Sequence, residues 1–420
     1  MSAFDILSFD SALLNSPAAI AQAVRKVYRH LRCGRRVTVR VCGARREQAV
    51  GWLGFAFEQA GIPFGLAGDS TSGAESLQLA LSRDPPQSDS LGTPVSAAPL
   101  QIVLLGLGTV GLGVYRHLCA HPELFDVRRI VVRDLAKHRD DGVPVERLAT
   151  HLWVAINEPA DLVIELIGGI EPAGDIVHAA LLRGRTVVTA NKALLATRWD
   201  TFERYARAPQ PRLRFSAAVG GSLPVLETVA RLAAEQTIER VRAVINGTCN
   251  FVLDELAQGT TLAAAVAHAQ RSGFAEADPS VDLSGADAAQ KLSLIARAAF
   301  GSAPDPRHIS CTGIEQLTPE TVRAARGRGQ RIRLVATCAN VRGLIRAQVR
   351  PEALPASDYL AGAHREENRV EIATTEGTRR LAGKGAGRWP TSLAVIADVD
   401  DVLEALVHHA PALPARSAHR

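Results

Sequence analysis

Residues 100–118, LQIVLLGLGTVGLGVYRHL, decide the fold of this 420-residue chain. The apolar run at residues 101–105 predicts a buried strand. Three glycines follow it at the spacing G-x-G-x-x-G: Gly106, Gly108 and Gly111. Such glycines allow a tight turn, a close approach of backbone to a pyrophosphate, and close packing of helix on strand. A helix follows the turn, its N-terminus attracts anions, and Thr109 and Val110 join the glycines as expected cofactor contacts. The stretch therefore predicts a dinucleotide-binding unit with a parallel sheet.

Further strands extend the same pattern. The predicted strand RRIVVRD ends at Arg133 and Asp134, where the ribose of a dinucleotide is read. Asp134 would favour NAD, whereas Arg133 with Lys137 nearby could pair with a 2′-phosphate, so we expect NADP with NAD as the alternative. DLVIELI and RTVVT predict two more buried strands, and Asn191 and Lys192 follow the second. Because ligands bind at the carboxyl ends of parallel strands, both should face the cofactor crevice.

The composition indicates two or three globular domains and excludes several classes of protein. Apolar residues make up 47% of the chain, an ordinary share for a globular core. No apolar run reaches the ~18 residues of a membrane span, and the N-terminus lacks the features of a secretion signal. Six scattered cysteines fit reduced thiols, so we expect a cytoplasmic protein. A net charge of +5 without a basic cluster argues against nucleic acid as a partner.

Residues 1–82 predict a small α/β unit ahead of the dinucleotide-binding unit. FDILSF and RRVTVRV predict strands with a helix between them. A second helix at residues 46–59 and a short strand near residues 62–66 are expected to follow. Residues 83–99, which are rich in proline, predict a linker.

The opening ILSFDSALLNSP faintly resembles the first strand and loop of aspartate kinases, which read K-F-G-G-[ST]. Here Ser8 stands at the lysine position and Asp10 at a glycine position. A cationic phosphate contact is lost and a carboxylate would repel phosphate, so the resemblance implies a kinase remnant without kinase chemistry. The alternative is a segment that only buttresses the next domain or an oligomer contact.

Residues 273–292, GFAEADPSVDLSGADAAQKL, combine acids with a lysine. Four acids fall within a dozen residues: Glu276, Asp278, Asp282 and Asp287. Pro279 and Gly285 predict a loop at which these acids converge, and a helix follows from residue 286. Asp287 and Lys291 then lie at i and i+4 on one helix face, which in an exposed helix is worth only ~0.3–0.5 kcal/mol.

Lysine usage favours a functional interpretation of that pair. Among the 48 basic residues only five are lysines. They are Lys26, Lys137, Lys192, Lys291 and Lys384. A desolvated lysine can lose its proton near neutral pH, whereas arginine effectively cannot. Lys291 is therefore a candidate for proton transfer.

Seven blocks occur in the order seen in homoserine dehydrogenases, and the likeness covers about residues 100–400. The blocks are GLGTVG, ELIGG, TANKALLA, AAVGGSLP, NGTCNF, GFAEADPSVDLSGADAAQKL and GKGAGRWPTSLAVIAD. The resemblance implies a Rossmann-type doubly wound parallel sheet at residues 100–235 and an α+β catalytic and dimerisation domain at residues 236–388. It further implies a closing segment at residues 389–410 that packs back on the first domain.

The same resemblance implies an activity. The family transfers a hydride between L-homoserine and the nicotinamide of NAD(P), forming L-aspartate 4-semialdehyde, in threonine and methionine synthesis. The implied assembly is a homodimer or a higher homo-oligomer, with a small molecule as substrate and neither nucleic acid nor membrane as a partner.

The resemblance also assigns site residues. Lys192 and Lys291 flank the reacting oxygen, with Lys291 handling the proton and Asp287 holding its ammonium group. Glu276 and Asp282 bind the ammonium group of the substrate. Four more residues complete the implied site: Gly247 and Thr248 at the substrate, and Asn191 and Gly387 at the cofactor.

One position departs from the family pattern. Members often carry a glutamate three residues before the valine of the A-V-G-G block, where it helps backbone carbonyls to bind a monovalent cation. Here Ser216 stands at that position. The carbonyls of Val219, Gly221 and Leu223 remain as ligands for Na⁺ or K⁺, but a charged oxygen is lost, so we expect no firm cation site.

Other residues of these blocks have simpler interpretations. We expect Lys384 and Arg388 to be solvated charges, Cys249 to be a packing residue, and Asn246 to serve a helix start. Two other functions stay open: a dehydrogenase of another small amino acid, and a dinucleotide-binding regulatory protein with decayed catalysis. The retention of both Lys192 and Lys291 in a lysine-poor chain argues against decay.

Overall fold

A computed structural model of the chain describes most residues from 98 onward and parts of the N-terminal region. The described residues are 5–10, 22–23, 25–27, 29–30, 37–42, 53, 65–68, 75–79, 98–138, 141–208, 210–385 and 388–408. They form three sheets. Among them, no helix combines the length and the apolar character that crossing a bilayer requires.

The N-terminal sheet has four strands in the order β1-β2-β4-β3. They are β1 (Asp5–Asp10), β2 (Val37–Cys42), β3 (Gly65–Gly68) and β4 (Glu75–Leu79). β1 and β2 are parallel, and the other pairings are antiparallel. The first two strands confirm the prediction. β3 begins later than the predicted strand near residues 62–66, and β4 was not predicted because its five residues are too few for a periodic signal.

The second sheet is entirely parallel and has six strands. They are β5 (Leu100–Leu105), β6 (Phe125–Val131), β7 (Leu148–Ala149), β8 (Leu162–Glu165), β9 (Thr186–Thr189) and β10 (Leu213–Arg214). The order β7-β6-β5-β8-β9-β10 reverses direction between β5 and β8, which is the switch point where such sheets bind ligands. The predicted doubly wound Rossmann-type sheet is confirmed.

Helices connect these strands. They are α1 (Thr109–Cys119), α2 (Leu152–Asn157), α3 (Ala173–Leu182), α4 (Lys192–Ala206) and, after β10, α5 (Val225–Glu235). Side chains of β5 alternate between the two faces of the sheet, so Ile102 and Leu104 belong to one apolar cluster and Val103 and Leu105 to another. This alternation follows from the two-residue period of a strand and explains why the strand reads as a continuous apolar run.

The third sheet is antiparallel except at one edge, in the order β12-β14-β13-β11-β15-β16. Its strands are β11 (Ile238–Val244), β12 (Ser310–Cys311), β13 (Gln330–Val341), β14 (Leu344–Pro355), β15 (Glu367–Thr374) and β16 (Gly377–Lys384). The accompanying helices are α6 (Gly247–Ala257), α7 (Leu262–Arg271), α8 (Ser280–Leu283), α9 (Ala286–Phe300) and α10 (Pro319–Gly327). One buried cluster runs from the parallel sheet through α5, α6 and α9 into this sheet, so the two sheets share a core.

The last described helix, α11 (Arg388–His408), returns to the parallel sheet. Ala394, Val395 and Val399 of this helix are buried in the same cluster as Val114 and Leu118 of α1. A hydrogen bond of 3.1 Å from Ser392 Oγ to the carbonyl of Val110 adds a polar link. The chain thus closes against the first helix of the dinucleotide-binding sheet.

Helical residues of the N-terminal region contact the same two helices. A nitrogen of the Arg25 guanidinium lies 3.0 Å from Nε2 of His121, just after α1. Arg29 forms ion pairs with Asp400 and Glu404 of α11. The predicted helix at residues 46–59 and the predicted linker at residues 83–99 lie outside the described residues, apart from helical Leu53 and residues 98 and 99.

Candidate active site

A cavity of about 520 Å³ lies where the parallel sheet meets the third sheet. Its lining residues are Lys192, Asn246, Gly247, Thr248, Gly273, Phe274, Ala275, Glu276, Asp282, Asp287, Lys291, Glu366, Lys384, Trp389 and Pro390. A larger cavity of about 1040 Å³ lies among α4, α5 and α9, and apolar side chains make up most of its wall. The catalytic and substrate-binding residues predicted from the sequence line the smaller cavity. We take it as the candidate site because charged side chains converge there.

The turn from β5 to α1 fits a dinucleotide. Gly106 has a φ of +99°, and a Cβ there would lie 2.7 Å from the carbonyl oxygen of Leu166, so a side chain is excluded. A Cβ on Gly111 would lie 2.1 Å from the carbonyl oxygen of Gly106. Over Gly108, in contrast, the space is open for 4 Å, as a backbone that a pyrophosphate approaches requires. Thr109 and Val110 begin α1 there.

The ribose end of the predicted cofactor site is exposed. β6 ends at Val131, earlier than the predicted strand, so Arg133 and Asp134 lie in the segment after it. The Asp134 carboxylate accepts a 2.9 Å hydrogen bond from the backbone N–H of Ala136, which holds it in a local turn. Arg133 and Lys137 are exposed beside it. Two cations and one locally bonded carboxylate therefore stand where a ribose would be read.

A buried carboxylate that the sequence did not single out organises the strand ends. Glu165, at the end of β8, is completely buried. It accepts hydrogen bonds from the Thr189 hydroxyl at 2.5 Å, from the N–H groups of Ile167 and Gly168 at 2.9 and 3.1 Å, and from the Asn191 amide at 3.4 Å. Burial raises the pKa of Glu165, and these hydrogen bonds oppose the shift. The ELIGG block was the available signal, since it places an acid inside an apolar strand.

Asn191 links Glu165 to the start of helix α4. Its Oδ1 accepts the backbone N–H of Leu194 at 3.1 Å and so caps α4. Its Nδ2 donates to the carbonyl of Gly169 at 2.7 Å. Lys192 follows directly as the first residue of α4. The predicted position of Lys192 at the carboxyl end of a parallel strand is confirmed.

Asp287 lies between two lysines. Its Oδ2 is 2.7 Å from Nζ of Lys291, one turn later on α9, and its Oδ1 is 3.2 Å from Nζ of Lys192, which comes from the parallel sheet. Asp287 is 5% exposed, so this pairing is not the solvated surface pair that the i,i+4 spacing alone allows. Lys291 also donates to the carbonyl of Ile245 at 2.8 Å.

Ionisation at this centre follows from the pairing. Burial would raise the pKa of Asp287, but Lys291 and Lys192 outweigh it and lower that pKa to about 2. The pKa of Lys192 is raised, chiefly by the Asp287 carboxylate. Lys192 therefore favours the ammonium form.

The residue that precedes α6, Asn246, connects Asp282 with Asp287. Asn246 caps α6 by accepting the N–H of Cys249 at 2.8 Å, as expected for a helix start. Its Nδ2 also donates to Asp282 at 2.7 Å and to Asp287 at 2.8 Å, which the cap interpretation missed. The hydroxyl oxygen of Thr248 lies 2.7 Å from the Phe274 carbonyl and 3.1 Å from an Asp282 oxygen. Having one proton, it can donate to one of them at a time.

Contrary to the sequence prediction, the four acids of residues 276–287 do not all converge on the cavity. Glu276 and Asp282 line the cavity. Asp278 is exposed and instead accepts the N–H of Ser280 at 3.0 Å in a local turn, so the expected convergence of all four acids is wrong for it. The reason is the short helix α8, which begins after Pro279 and turns Asp282 inward. Cys249 is fully buried, and burial raises the pKa of its thiol well above the ordinary value, as a packing residue requires.

The expectation that Lys384 is only a solvated charge is wrong. Expected as a solvated charge, it lines the cavity at the end of β16, and its Nζ lies 3.5 Å from an Oε1 oxygen of Glu366. Trp389 stands at the same cavity with its ring half exposed. Gly387 lies outside the described residues, and the side chain of Arg388 does as well.

The predicted cation carbonyls lie in the segment between β10 and α5. The Leu223 carbonyl accepts the N–H of Val225 at 2.8 Å, and Gly221 packs against the carbonyls of Lys384 and Gly385. Beside Ser216 stands a carboxylate from α11: Asp398 accepts its N–H at 2.9 Å and its hydroxyl at 2.7 Å. Ser216 thus acts as a donor here, a role that a glutamate could not fill with its side chain.

The arrangement can hold a small zwitterion and manage one proton. An ammonium group has three N–H donors, and Lys291 uses two of them on Asp287 and Ile245, which leaves one for a ligand oxygen. Lys192 presents a second ammonium group across the same carboxylate. Glu276 and Asp282 provide anionic oxygens for a cationic group.

Comparison with known proteins agrees with this geometry. A homoserine dehydrogenase family model matches residues 224–399, and a model of the NAD-binding domain of homoserine dehydrogenase matches residues 106–216. A homoserine dehydrogenase of Corynebacterium glutamicum is 37% identical over 323 residues, with 73% of this chain and 72% of the relative covered. One of Bacillus subtilis is 32% identical over 316 residues, with 73% of each covered. A solved homoserine dehydrogenase of Thiobacillus denitrificans is 36% identical with a TM-score of 0.68, covering 74% of this chain and 75% of that one.

Proposed function

The chain belongs to the homoserine dehydrogenase family, an oxidoreductase with a nicotinamide dinucleotide-binding domain, and from that premise we propose how its cavity works. The substrate is L-homoserine in one direction and L-aspartate 4-semialdehyde in the other. The observation that carries the proposal is the Lys192–Asp287–Lys291 arrangement, in which one buried carboxylate orients two ammonium groups toward a shared cavity.

Lys291 handles the proton in this proposal. When bound, the nicotinamide dinucleotide accepts or supplies the hydride. In reduction, the Lys291 ammonium group donates a proton to the aldehyde oxygen; in oxidation, its neutral amine accepts the hydroxyl proton, so alkaline pH favours oxidation. Lys192, whose pKa is raised, keeps its charge and stabilises negative charge on the same oxygen. Asp287 holds both groups in place and does not itself exchange a proton.

Glu276 and Asp282 are the groups we assign to the ammonium group of the substrate. Both line the cavity, and Asn246 and Thr248 already orient the carboxylate of Asp282. Gln270 holds the backbone of the Glu276 loop through bonds of 3.1 Å to the carbonyls of Glu276 and Ala277. A carboxylate pair around a cationic group is electrostatically favourable, whereas the pair alone would repel itself.

The decisive experiment follows reduced-nicotinamide absorbance with L-homoserine at alkaline pH, with NADP⁺ and NAD⁺ supplied in turn. We expect turnover by the wild-type chain, and a fall in kcat of roughly two to four decades for Lys291→Ala, since one positioned acid–base group contributes about that much. Lys26→Ala, at an exposed lysine outside the cavity, is the control and should keep kcat. A Lys291→Ala variant with normal kcat would remove Lys291 from the proton step.

We also propose a preference for NADP over NAD. Its support is the exposed pair Arg133 and Lys137 after β6, beside an Asp134 carboxylate held in a local turn. Arg133→Ala should raise KM for NADP⁺ about tenfold or more and change KM for NAD⁺ little, because only the 2′-phosphate needs the cation. Arg128→Ala, at an exposed arginine of β6 itself, serves as control. Equal effects on both cofactors would contradict the assignment.

The family resemblance supports three further parts of the proposal: a place in threonine and methionine synthesis, a homodimer paired through residues 236–388, and a cytoplasmic location, with which the free thiols of Cys119 and Cys311 agree. Light scattering tests the dimer, since a mass near 44.7 kDa would identify a monomer instead. No step of the proposal uses a monovalent cation.

A further inference from the structure

Lys384 and Glu366 reach the cavity from the third sheet. Lys384 is the last residue of β16 and pairs in register with Glu367, the first residue of β15. Glu366 therefore precedes the strand at the same end, and its carbonyl accepts the N–H of Gly385 at 2.8 Å. Both side chains line the cavity that also holds Lys192 and Lys291. The strand pair thus brings a third ammonium group to the site.

The three ammonium groups differ in how tightly they are paired. Lys291 has an Asp287 oxygen at 2.7 Å and a carbonyl oxygen at 2.8 Å, both at the length of strong charge-assisted bonds. Lys192 has the other Asp287 oxygen at 3.2 Å. The Lys384 nitrogen lies 3.5 Å from Glu366, and its side chain is 30% exposed, so this ion pair is weak. Lys192 is similarly exposed, at 34%, but lies closer to its carboxylate, so Lys384 has the longest and weakest ion pair of the three.

The substrate requires such a cation. L-Homoserine carries a carboxylate as well as an ammonium group and a hydroxyl group. The cavity is lined by four carboxylates, from Glu276, Asp282, Asp287 and Glu366, so an incoming carboxylate is repelled unless a cation faces it. Lys291 and Lys192 form ion pairs with Asp287, and in the proposed function they also bind the reacting oxygen. Lys384 is the remaining cation for the substrate carboxylate among the residues that line the cavity.

We propose that Lys384 binds the α-carboxylate of the substrate and makes the site select amino acids over simple alcohols. Glu366 holds the Lys384 side chain when no substrate is bound and releases it to the carboxylate. This inference rests on the homoserine dehydrogenase activity stated above and adds to it the residue that recognises the amino-acid end.

The test compares L-homoserine with L-homoserine amide, which keeps the shape but lacks the carboxylate charge. It uses the full chain, with Lys384→Met, Lys384→Arg and Glu366→Gln. Lys384→Met should raise KM for L-homoserine about 10–100-fold with kcat little changed, the usual loss for a hydrogen bond to a charged group. For L-homoserine amide, Lys384→Met and the wild-type chain should have the same KM. Lys384→Arg should restore most of the preference for L-homoserine over the amide.

Glu366→Gln is the matched control, because it breaks the same ion pair and leaves the ammonium group in place. It should lower KM for L-homoserine, because the Glu366 carboxylate no longer competes with the substrate carboxylate for Lys384. If Glu366→Gln and Lys384→Met raise this KM equally, or if Lys384→Met loses both substrates in parallel, Lys384 is structural and the inference is overturned. An absence of homoserine turnover in the wild-type chain would instead overturn the activity on which the inference rests.

Discussion

Asp287 owes its ionised state to two neighbours, and this makes it sensitive to acid. A buried carboxylate without cations would be protonated, because burial disfavours charge. Lys291 and Lys192 reverse that tendency and hold the pKa of Asp287 at about 2, below the ordinary value of 3.8. A carboxylate whose pKa is lower in the folded than in the unfolded state stabilises the fold above the unfolded pKa. That contribution disappears as the pH falls through the folded pKa.

We therefore predict that the stability advantage of the wild-type chain over Asp287→Asn depends on pH. It should be largest above about pH 4 and shrink by about 2 kcal/mol as the pH falls to about 2, since a shift of one pKa unit corresponds to about 1.4 kcal/mol. Urea unfolding of both chains across this range measures the difference. The exposed Asp278 provides the control substitution, Asp278→Asn. A pH-independent difference would show that Asp287 is not held ionised by its lysines.

At the residue scale, the sequence predicted types of group better than their partners. The scarcity of lysine pointed to Lys192 and Lys291, and the structure places both on Asp287. The roles of Lys384 and Glu165 were missed for different reasons. Lys384 reaches the cavity because β16 pairs with β15, and the position of that strand pair depends on tertiary structure. Glu165 ends an apolar strand, so the sequence pattern read it as part of a buried run.

Helix α9 shows how one backbone position sets the geometry of the candidate site. It begins after Gly285, whose φ of +84° lies in the left-handed region, and a Cβ there would be 2.8 Å from Cys311 Sγ. The helix ends at Gly301, which has a similar φ of +75° but nothing within 4 Å of an added Cβ. Since Asp287 and Lys291 lie in the first turns of α9, a shift of its start would move both.

We predict that Gly285→Ala and Gly301→Ala differ in cost although their backbones are alike. Gly301→Ala should cost about 1–2 kcal/mol of unfolding free energy, the penalty of a left-handed residue with a side chain. Gly285→Ala should cost more and lower kcat as well, because its Cβ displaces the neighbours of α9. Urea unfolding and turnover with L-homoserine measure both. Equal losses of stability with unchanged kcat would mean that the start of α9 tolerates movement.

At the element scale, the parallel sheet was predictable because each strand is a short apolar run followed by a turn signal. The predicted strand at residues 101–105 lies within a residue of the observed β5, and the helix expected after the glycine motif is α1. α8 was not predicted, since four residues between Pro279 and Gly285 give no helical period. This short helix separates Asp278 from Asp282, which local sequence rules could not show.

The N-terminal region contacts the rest of the molecule through buried charge. Arg25 is 7% exposed, and burial lowers its pKa to about 10. It lies against His121, after α1, while Arg29 pairs with Asp400 of α11. Burial raises the pKa of Asp400, and the two arginines oppose that shift. Because α11 begins beside the cavity, these contacts connect the N-terminal region with an element of the site.

We predict that Arg25→Ala loosens this contact. It leaves Asp400 buried with one cation fewer, so the free energy of unfolding should fall by about 1–3 kcal/mol. Hydrogen exchange should accelerate in α1 and α11 and stay unchanged in β13 and β14. Lys26→Ala, at the exposed neighbouring position, is the control and should leave exchange as it is. Unchanged protection of α11 in Arg25→Ala would show that the N-terminal region does not support this helix.

The sequence by itself determined the doubly wound sheet, the dinucleotide-binding turn and the choice of Lys192 and Lys291 as candidates, because these depend on local periodicity and on short motifs. Only the tertiary structure decided what surrounds them. Asp287 faces a lysine from α4, Asn246 bridges two acids, and Asp398 reaches Ser216 across 182 positions of the chain. Charges far apart in sequence acquire their pKa values and partners through packing, so those properties exist only once the sheets have come together.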